Sequence, residues 1–171
     1  MQAITDIKHL TVQTLPPILV LTGEDVGQFE WLKKDILKKI GYDPSDLNYS
    51  YFDMKEASYA EVELDLVSLP FFADEKIVIL DHLLDLTTAK KRNLTDEDLK
   101  QFENYLENPS ESTRLVIFAE GKLDSKRRLV KLLKRDAQII EATTPKEQDL
   151  KRYFASQAQE LGLQFVGDSL D

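Results

Sequence analysis

An α/β fold, with a mainly parallel five-stranded sheet flanked by helices, is what this sequence predicts, and three observations predict it. Short apolar runs bounded by turn residues alternate with segments whose apolar residues recur at helical spacing. The first such run, Ile18-Leu19-Val20-Leu21, passes into a glycine-containing turn that opens an amphipathic segment, the strand–loop–helix order of a mononucleotide-binding unit. The composition is that of a packed domain: 171 residues, 42% hydrophobic and 31% charged.

Taken in order, Ile18 to Leu21 is the first strand. Val26, Phe29, Leu32, Ile36 and Ile40 then mark a helix that Gly41 stops. Tyr49-Ser50-Tyr51-Phe52 is aromatic enough to be a second strand. Ser58 caps a helix to about Ser68, with Val62, Leu64, Leu66 and Val67 as its apolar positions, and Lys76 to Leu80 is a third strand. Thr87 to Asn93 is polar and partly basic, which predicts a mobile loop. Thr95 caps a helix with Leu99, Phe102, Tyr105 and Leu106 on one face, ended by Asn108-Pro109. Arg114 to Ala119 is a fourth strand, Ser125 to Arg135 a basic helix with Leu129, Leu132 and Leu133 inward, and Gln138 to Glu141 a fifth strand.

At Thr144-Pro145-Lys146-Glu147 a Thr cap, a Pro at the first helical position and a Glu three residues past the cap agree on a new helix start. That helix carries Leu150, Tyr153, Phe154, Ala158 and Leu161 on one side and ends at Gly162. The βα alternation stops before it, so two domains are expected: 1–143, α/β, and 144–171, the beginning of a helical domain inside which the chain ends.

The turn after the first strand has lost its phosphate chemistry. A working loop G-x-x-x-x-G-K-[ST] cradles phosphates in backbone N–H groups, neutralises them with Lys and holds magnesium with a hydroxyl. Counting from Gly23, Gln28 replaces the second glycine, Phe29 the lysine and Glu30 the hydroxyl residue, while Glu24 and Asp25 add negative charge. One unneutralised carboxylate at contact distance from a phosphate costs about 4 kcal/mol at an effective dielectric near 20. ATP is therefore not expected to bind productively, and no cofactor is expected.

Bulk properties narrow the function further. A net charge of −9 disfavours autonomous nucleic-acid binding, and the absence of cysteine removes disulfides and thiolate metal sites. The start Met1 to Asp6 lacks the features of a signal peptide, and no apolar stretch reaches the ~20 residues of a membrane span; a soluble, cytoplasmic protein is expected.

Several constellations invite chemistry and are better explained without it. Asp81 ends an apolar strand as a magnesium-binding Asp does, but His82 stands where a water-polarising Glu belongs. His9 and His82 have no companion ligands for zinc, and no G-x-S-x-G accompanies Asp81-His82. Lys122, Lys126, Arg127, Arg128, Lys131, Lys134 and Arg135 form a basic run interleaved with leucines, read as a solvated helix face, with contact to DNA or an acidic neighbour as the alternative. Glu61 and Asp65 sit one helical turn apart without looking catalytic, and Asp96, Glu97 and Asp98 suit the positive end of a helix dipole.

Leu69-Pro70-Phe71-Phe72 is different. Pro70 breaks a helix and two adjacent aromatics then occupy a turn, so both are hard to bury on one side; exposed aromatics in a rigid turn are good interface anchors. The alternative is that one Phe fills the domain's own core while the other lies on its surface.

Four stretches, in order, carry a family likeness: Leu21-Thr22-Gly23-Glu24, Leu69 to Asp74, Tyr105 to Pro109, and Lys122-Leu123-Asp124 leading into Arg127 to Lys131. Together they resemble the delta subunit of the bacterial DNA polymerase III clamp loader in its Gram-positive form, and the segment from Thr144 to Gly162 looks like that family's entry into its lid domain. The resemblance implies an AAA+/RecA-like fold without ATP hydrolysis of its own, within a holoenzyme that is a DNA-directed DNA polymerase. It further implies binding and opening of the sliding clamp (beta subunit), with an apolar tip at Leu69, Pro70, Phe71 and Phe72. It implies partners of the tau/gamma and delta-prime type joined through a collar, DNA contact only within that complex, and no membrane. The rival readings are a divergent P-loop NTPase or kinase and an unrelated α/β regulatory module.

Overall fold

A computed structural model describes residues 7–70 and 74–143. Five strands, β1 (Ile18–Gly23), β2 (Tyr49–Asp53), β3 (Lys76–Asp81), β4 (Thr113–Glu120) and β5 (Gln138–Ala142), form one sheet in the order β2-β3-β4-β1-β5. All pairings are parallel, as βα alternation requires. The helices are α1 (Val26–Lys39), α2 (Tyr59–Val67), α3 (Asp96–Glu107) and α4 (Arg128–Asp136).

The period of two along each strand divides the core. Ile18, Val20, Val78, Leu80, Leu115 and Ile117 face α2, α3 and α4, meeting Val62, Leu66, Phe102, Leu106, Leu129 and Leu133. Leu19, Leu21, Ile77, Ile79, Val116 and Phe118 face α1 through Phe29, Leu32 and Ile36, with Ile7, Leu10 and Leu15 completing that layer. Both faces are covered, so the central strands are near-continuous apolar runs. The direction of travel explains the layering. β1 leads leftward to β2 through α1, whereas every later crossover runs the other way, and right-handed connections then place α1 opposite the other three helices.

The structure departs from the sequence reading in three places. Leu64 and Val67 do not face inward: they are 72% and 59% exposed, and Tyr59, Val62 and Leu66 alone form the buried stripe of α2. In the run Leu64-Asp65-Leu66-Val67 apolar residues lie all round the helix, so periodicity could not choose a face. Residues 87–93 are an irregular loop, as expected, but one fastened at both ends. Asp85, fully buried in a 3₁₀ turn (Leu84–Leu86), accepts the Asn93 and Leu94 N–H groups at 3.0–3.1 Å, and Thr87 forms a bridge to Leu123. The basic helix begins at Arg128 rather than Ser125, because Asp124 holds the preceding residues in a turn by accepting the Lys126 N–H at 3.1 Å. The expected helical domain from Thr144 onward lies outside the described residues.

Candidate functional site

In an open α/β sheet, ligands bind beyond the carboxyl ends of the strands where crossovers depart to opposite faces. Here that point lies between β1 and β4, and it is stitched shut. Gly23 and Gly121 form an antiparallel bridge, with Gly23 N–H donating to Gly121 C=O at 2.9 Å and Gly121 N–H returning to Gly23 C=O at 2.8 Å. The Thr22 hydroxyl donates to the same Gly121 carbonyl at 2.9 Å. Only glycine fits at position 23: its φ is +130°, and a Cβ would lie 2.5 Å from the Ala142 backbone nitrogen.

The helix end beside this bridge is closed as well. Asp25 is the N-cap of α1, its carboxylate accepting the Gln28 N–H at 3.0 Å, so the protein's own anion sits where a phosphate would meet the helix terminus. Of the positions that count as a degenerate loop, Gln28 and Glu30 lie in the first turns of α1, and Phe29 is buried among Leu21, Leu32 and Ile36. Phe29 is thus a core residue, which its helical spacing signalled better than its place in the motif. Asp25→Ala is expected to lower stability by about 1 kcal/mol, a fall in melting temperature read by circular dichroism; an unchanged melt would show the cap to be idle.

Asp81 ends β3 in the position of a metal-binding carboxylate, with its side chain 3% exposed. Lys33 of α1 reaches over the Phe118 ring to place its ammonium 2.6 Å from Asp81 Oδ2. The Tyr51 hydroxyl donates to the same oxygen, and the His82 N–H donates to Oδ1 at 2.8 Å. Burial, followed by the hydrogen bond to Asp81 and its negative charge, pushes the Tyr51 phenol well above its ordinary range. His82, held at φ 57°, sets Nδ1 2.9 Å from Asp53 Oδ1. Partial burial pushes the Asp53 carboxyl up. The Lys55 N–H, the His82 hydrogen bond and the nearby Lys55 ammonium outweigh that and hold it below the usual carboxylate range. Among the described residues no three His, Asp or Glu side chains converge as metal ligands. Asp81 is a hub for neighbouring donors.

The third feature is apolar and exposed. Leu64 and Val67 are neighbours on one face of α2, and Leu69, just beyond its end, is 78% exposed; Pro70 follows, partly buried. Phe71 and Phe72 lie outside the described residues. The base of this connection is fastened: Thr113 Oγ1 donates to Leu66 C=O at 3.2 Å, and Arg114 pairs with Glu75 at 2.5 Å.

Comparison with known proteins assigns this arrangement. The family model described as DNA polymerase III, delta subunit, matches residues 19–143. The chain belongs to that family. A delta subunit of DNA polymerase III from Bacillus subtilis (strain 168) is 30% identical over 137 residues, covering 79% of this chain and 40% of that protein. A solved Bacillus subtilis DNA clamp loader delta protein matches at TM-score 0.70 and 22% identity, over 93% of this chain and 46% of that one. A Thermotoga maritima protein related to the DNA polymerase III gamma subunit follows at TM-score 0.53 and 16% identity, over 94% of this chain and 53% of that one. A Thermotoga maritima RuvB variant matches at 0.50 and 11%, over 99% of this chain and 51% of that one. The fold is therefore of the AAA+/RecA-like α/β class, and this delta-family chain spans less than half the length of the Bacillus delta subunit in both comparisons.

On this delta-family scaffold the basic helix is largely accounted for. Arg128 and Arg135 converge on Glu107 of α3 at 3.3 and 3.4 Å, Arg135 also meets Asp136 at 2.7 Å, and Lys134 donates to Ser125 at 2.7 Å. Lys122, Lys126 and Lys131 remain on the exposed side. Among the described residues no helix is long and apolar enough to cross a membrane. Sequence reasoning did not single out Gly121 or Lys33. Gly121 carried a signal, a glycine directly after the fourth apolar strand just as Gly23 follows the first; Lys33 carried none, because its partner lies far along the chain, at the end of β3.

Proposed function

We propose that this chain is the clamp-engaging part of a clamp-loader delta subunit, one that binds the sliding clamp and helps to open it for loading onto primed DNA without hydrolysing ATP itself. The observation that carries this reading is the exposed apolar set Leu64, Val67 and Leu69 leading into Pro70, Phe71 and Phe72. Contiguous apolar side chains left in water at one helix end mark a protein-binding surface. Adjacent aromatics are the residue type that anchors such surfaces. Family membership supplies the partner: a clamp-loader delta subunit meets a clamp and other loader subunits, here of the tau/gamma and delta-prime type, and meets DNA within their complex.

The nucleotide chemistry belongs to those other subunits. The bridged Gly23–Gly121 crevice, the Asp25 cap and the Lys33–Asp81 pair leave neither phosphate donors nor a free metal carboxylate where a P-loop enzyme needs them. This argues against the divergent NTPase or kinase. Ring opening requires no reaction in this chain. Binding the sprung form of the clamp more tightly than the closed form shifts its population, by no more than that difference in affinity.

The test is titration of the purified 171-residue chain with the sliding clamp, alongside calorimetry with magnesium-ATP. Saturable clamp binding without micromolar ATP binding is expected. Absence of clamp binding would remove the proposal, and magnesium-dependent ATP binding would revive the enzyme reading.

A further inference from the structure

Lys76 opens β3 and is 4% exposed, in a strand whose next four residues are Ile77-Val78-Ile79-Leu80. Lysine is almost never buried to that degree unless its charge is satisfied. Here the ammonium donates to the Asp65 carbonyl, to Ser68 Oγ at 2.6 Å and, at 3.3 Å, to Asp65 Oδ1, so each of its three hydrogens has an acceptor. Those acceptors belong to the end of α2, which has no basic residue in its last turn and an extended C-cap at Ser68. A helix C-terminus leaves carbonyls unsatisfied and carries partial negative charge, and Lys76 answers both needs from the far side of the connection. Its backbone is fixed too, the Lys76 N–H donating to Ser112 C=O at 2.9 Å.

We infer that Lys76 is a positioning residue for the exposed apolar end of α2, its buried ammonium clasping Asp65 and Ser68 to the start of β3. This rests on the clamp-binding function proposed above. The clasp ties the end of α2 to the start of β3 by side chain, while Thr113–Leu66 and Arg114–Glu75 fasten Leu66 and Glu75 to β4. An apolar helix end that is already held in place loses less freedom on docking, so part of the ordering cost is met during folding. An apolar side chain would serve the core as well at position 76 without burying a charge, which is why the ammonium calls for a role.

The test compares the chain with Lys76→Met and Ser68→Ala for clamp affinity and for hydrogen exchange at amides 66–70. Ile117→Val, a core change in β4, serves as a folding control. At a temperature where all are folded, Lys76→Met is expected to bind the clamp about tenfold more weakly and to exchange faster at 66–70. Ser68→Ala should change in the same direction by less, and Ile117→Val should keep the parent affinity despite a lower melting point. Should Lys76→Met not fold, Ser68→Ala decides by the same two readouts. Parent-like affinity and unchanged exchange in the deciding variant would overturn the inference, as would an equal loss of affinity in Ile117→Val. Should the parent chain itself fail to bind, the docking function falls on that result, and exchange still judges the clasp: faster exchange upholds it and unchanged exchange overturns it.

Discussion

Phe71→Ala combined with Phe72→Ala is expected to abolish clamp binding while leaving the melting curve nearly unchanged. The expectation rests on position. Leu69 is already 78% exposed, Pro70 prevents α2 from continuing, and the pair follows at once. Two adjacent aromatics after a helix-breaking proline are hard to bury on one side. An aromatic anchor that a partner fully desolvates contributes about 2 kcal/mol or more, so losing two weakens binding by about a thousandfold. A side chain exposed in the free protein contributes little to folding, so the melt should hold within the scatter of surface substitutions, about 0.5 kcal/mol. Surface plasmon resonance and thermal circular dichroism measure the two quantities. Unimpaired binding by a folded double variant would take both rings out of the interface. A large fall in melting temperature would instead place at least one ring in the core, the alternative that the sequence left open.

How far this reading was legible in the sequence depends on how local each cause is. The strands were legible because a doubly covered parallel sheet buries both sides, turning Ile18–Leu21 and Lys76–Leu80 into runs that need no partner to be recognised. The start of α3 was legible because Thr95 and Asp98 exchange hydrogen bonds within four residues, a reciprocal cap written in the chain itself. The loss of phosphate-binding residues was legible position by position. What replaces them was not. The Gly23–Gly121 bridge, the Lys33–Asp81 pair and the Lys76 clasp join distant segments, and each depends on strand order, which alternation alone does not give. The order β2-β3-β4-β1-β5 is what brings Gly121 beside Gly23. The misplacement of Leu64 and Val67 has a further cause: hydrophobic patterning assumes that apolar residues seek the core, and these two lie in water.

The Lys33–Asp81 pair offers the sharpest separation between a structural carboxylate and a latent metal ligand. Lys33→Met is expected to cost about 3 kcal/mol, because it leaves a nearly buried carboxylate without its counter-ion and breaking one side of such a pair is far costlier than removing both. For a domain of this size that is a fall of roughly 10 °C in melting temperature. Adding Asp81→Asn to Lys33→Met should recover most of the loss. The amide oxygen can still accept from Tyr51 or from the His82 N–H, and no charge remains to be neutralised. Asp81→Asn alone should be mild, since Lys33 keeps 13% exposure and its flexible stem can carry the ammonium to water. A magnesium-dependent nucleotide site predicts another pattern. Ligand binding would then raise the parent's melting temperature in proportion to ATP concentration, and Asp81→Asn would erase that rise. The ammonium 2.6 Å from Oδ2 opposes this second pattern directly, because a divalent ion would have to displace a resident cation from a carboxylate already shared among three donors. The position that would serve chemistry in a motor subunit here joins α1 to the end of β3, and its substitution is expected to be felt in stability and not in turnover.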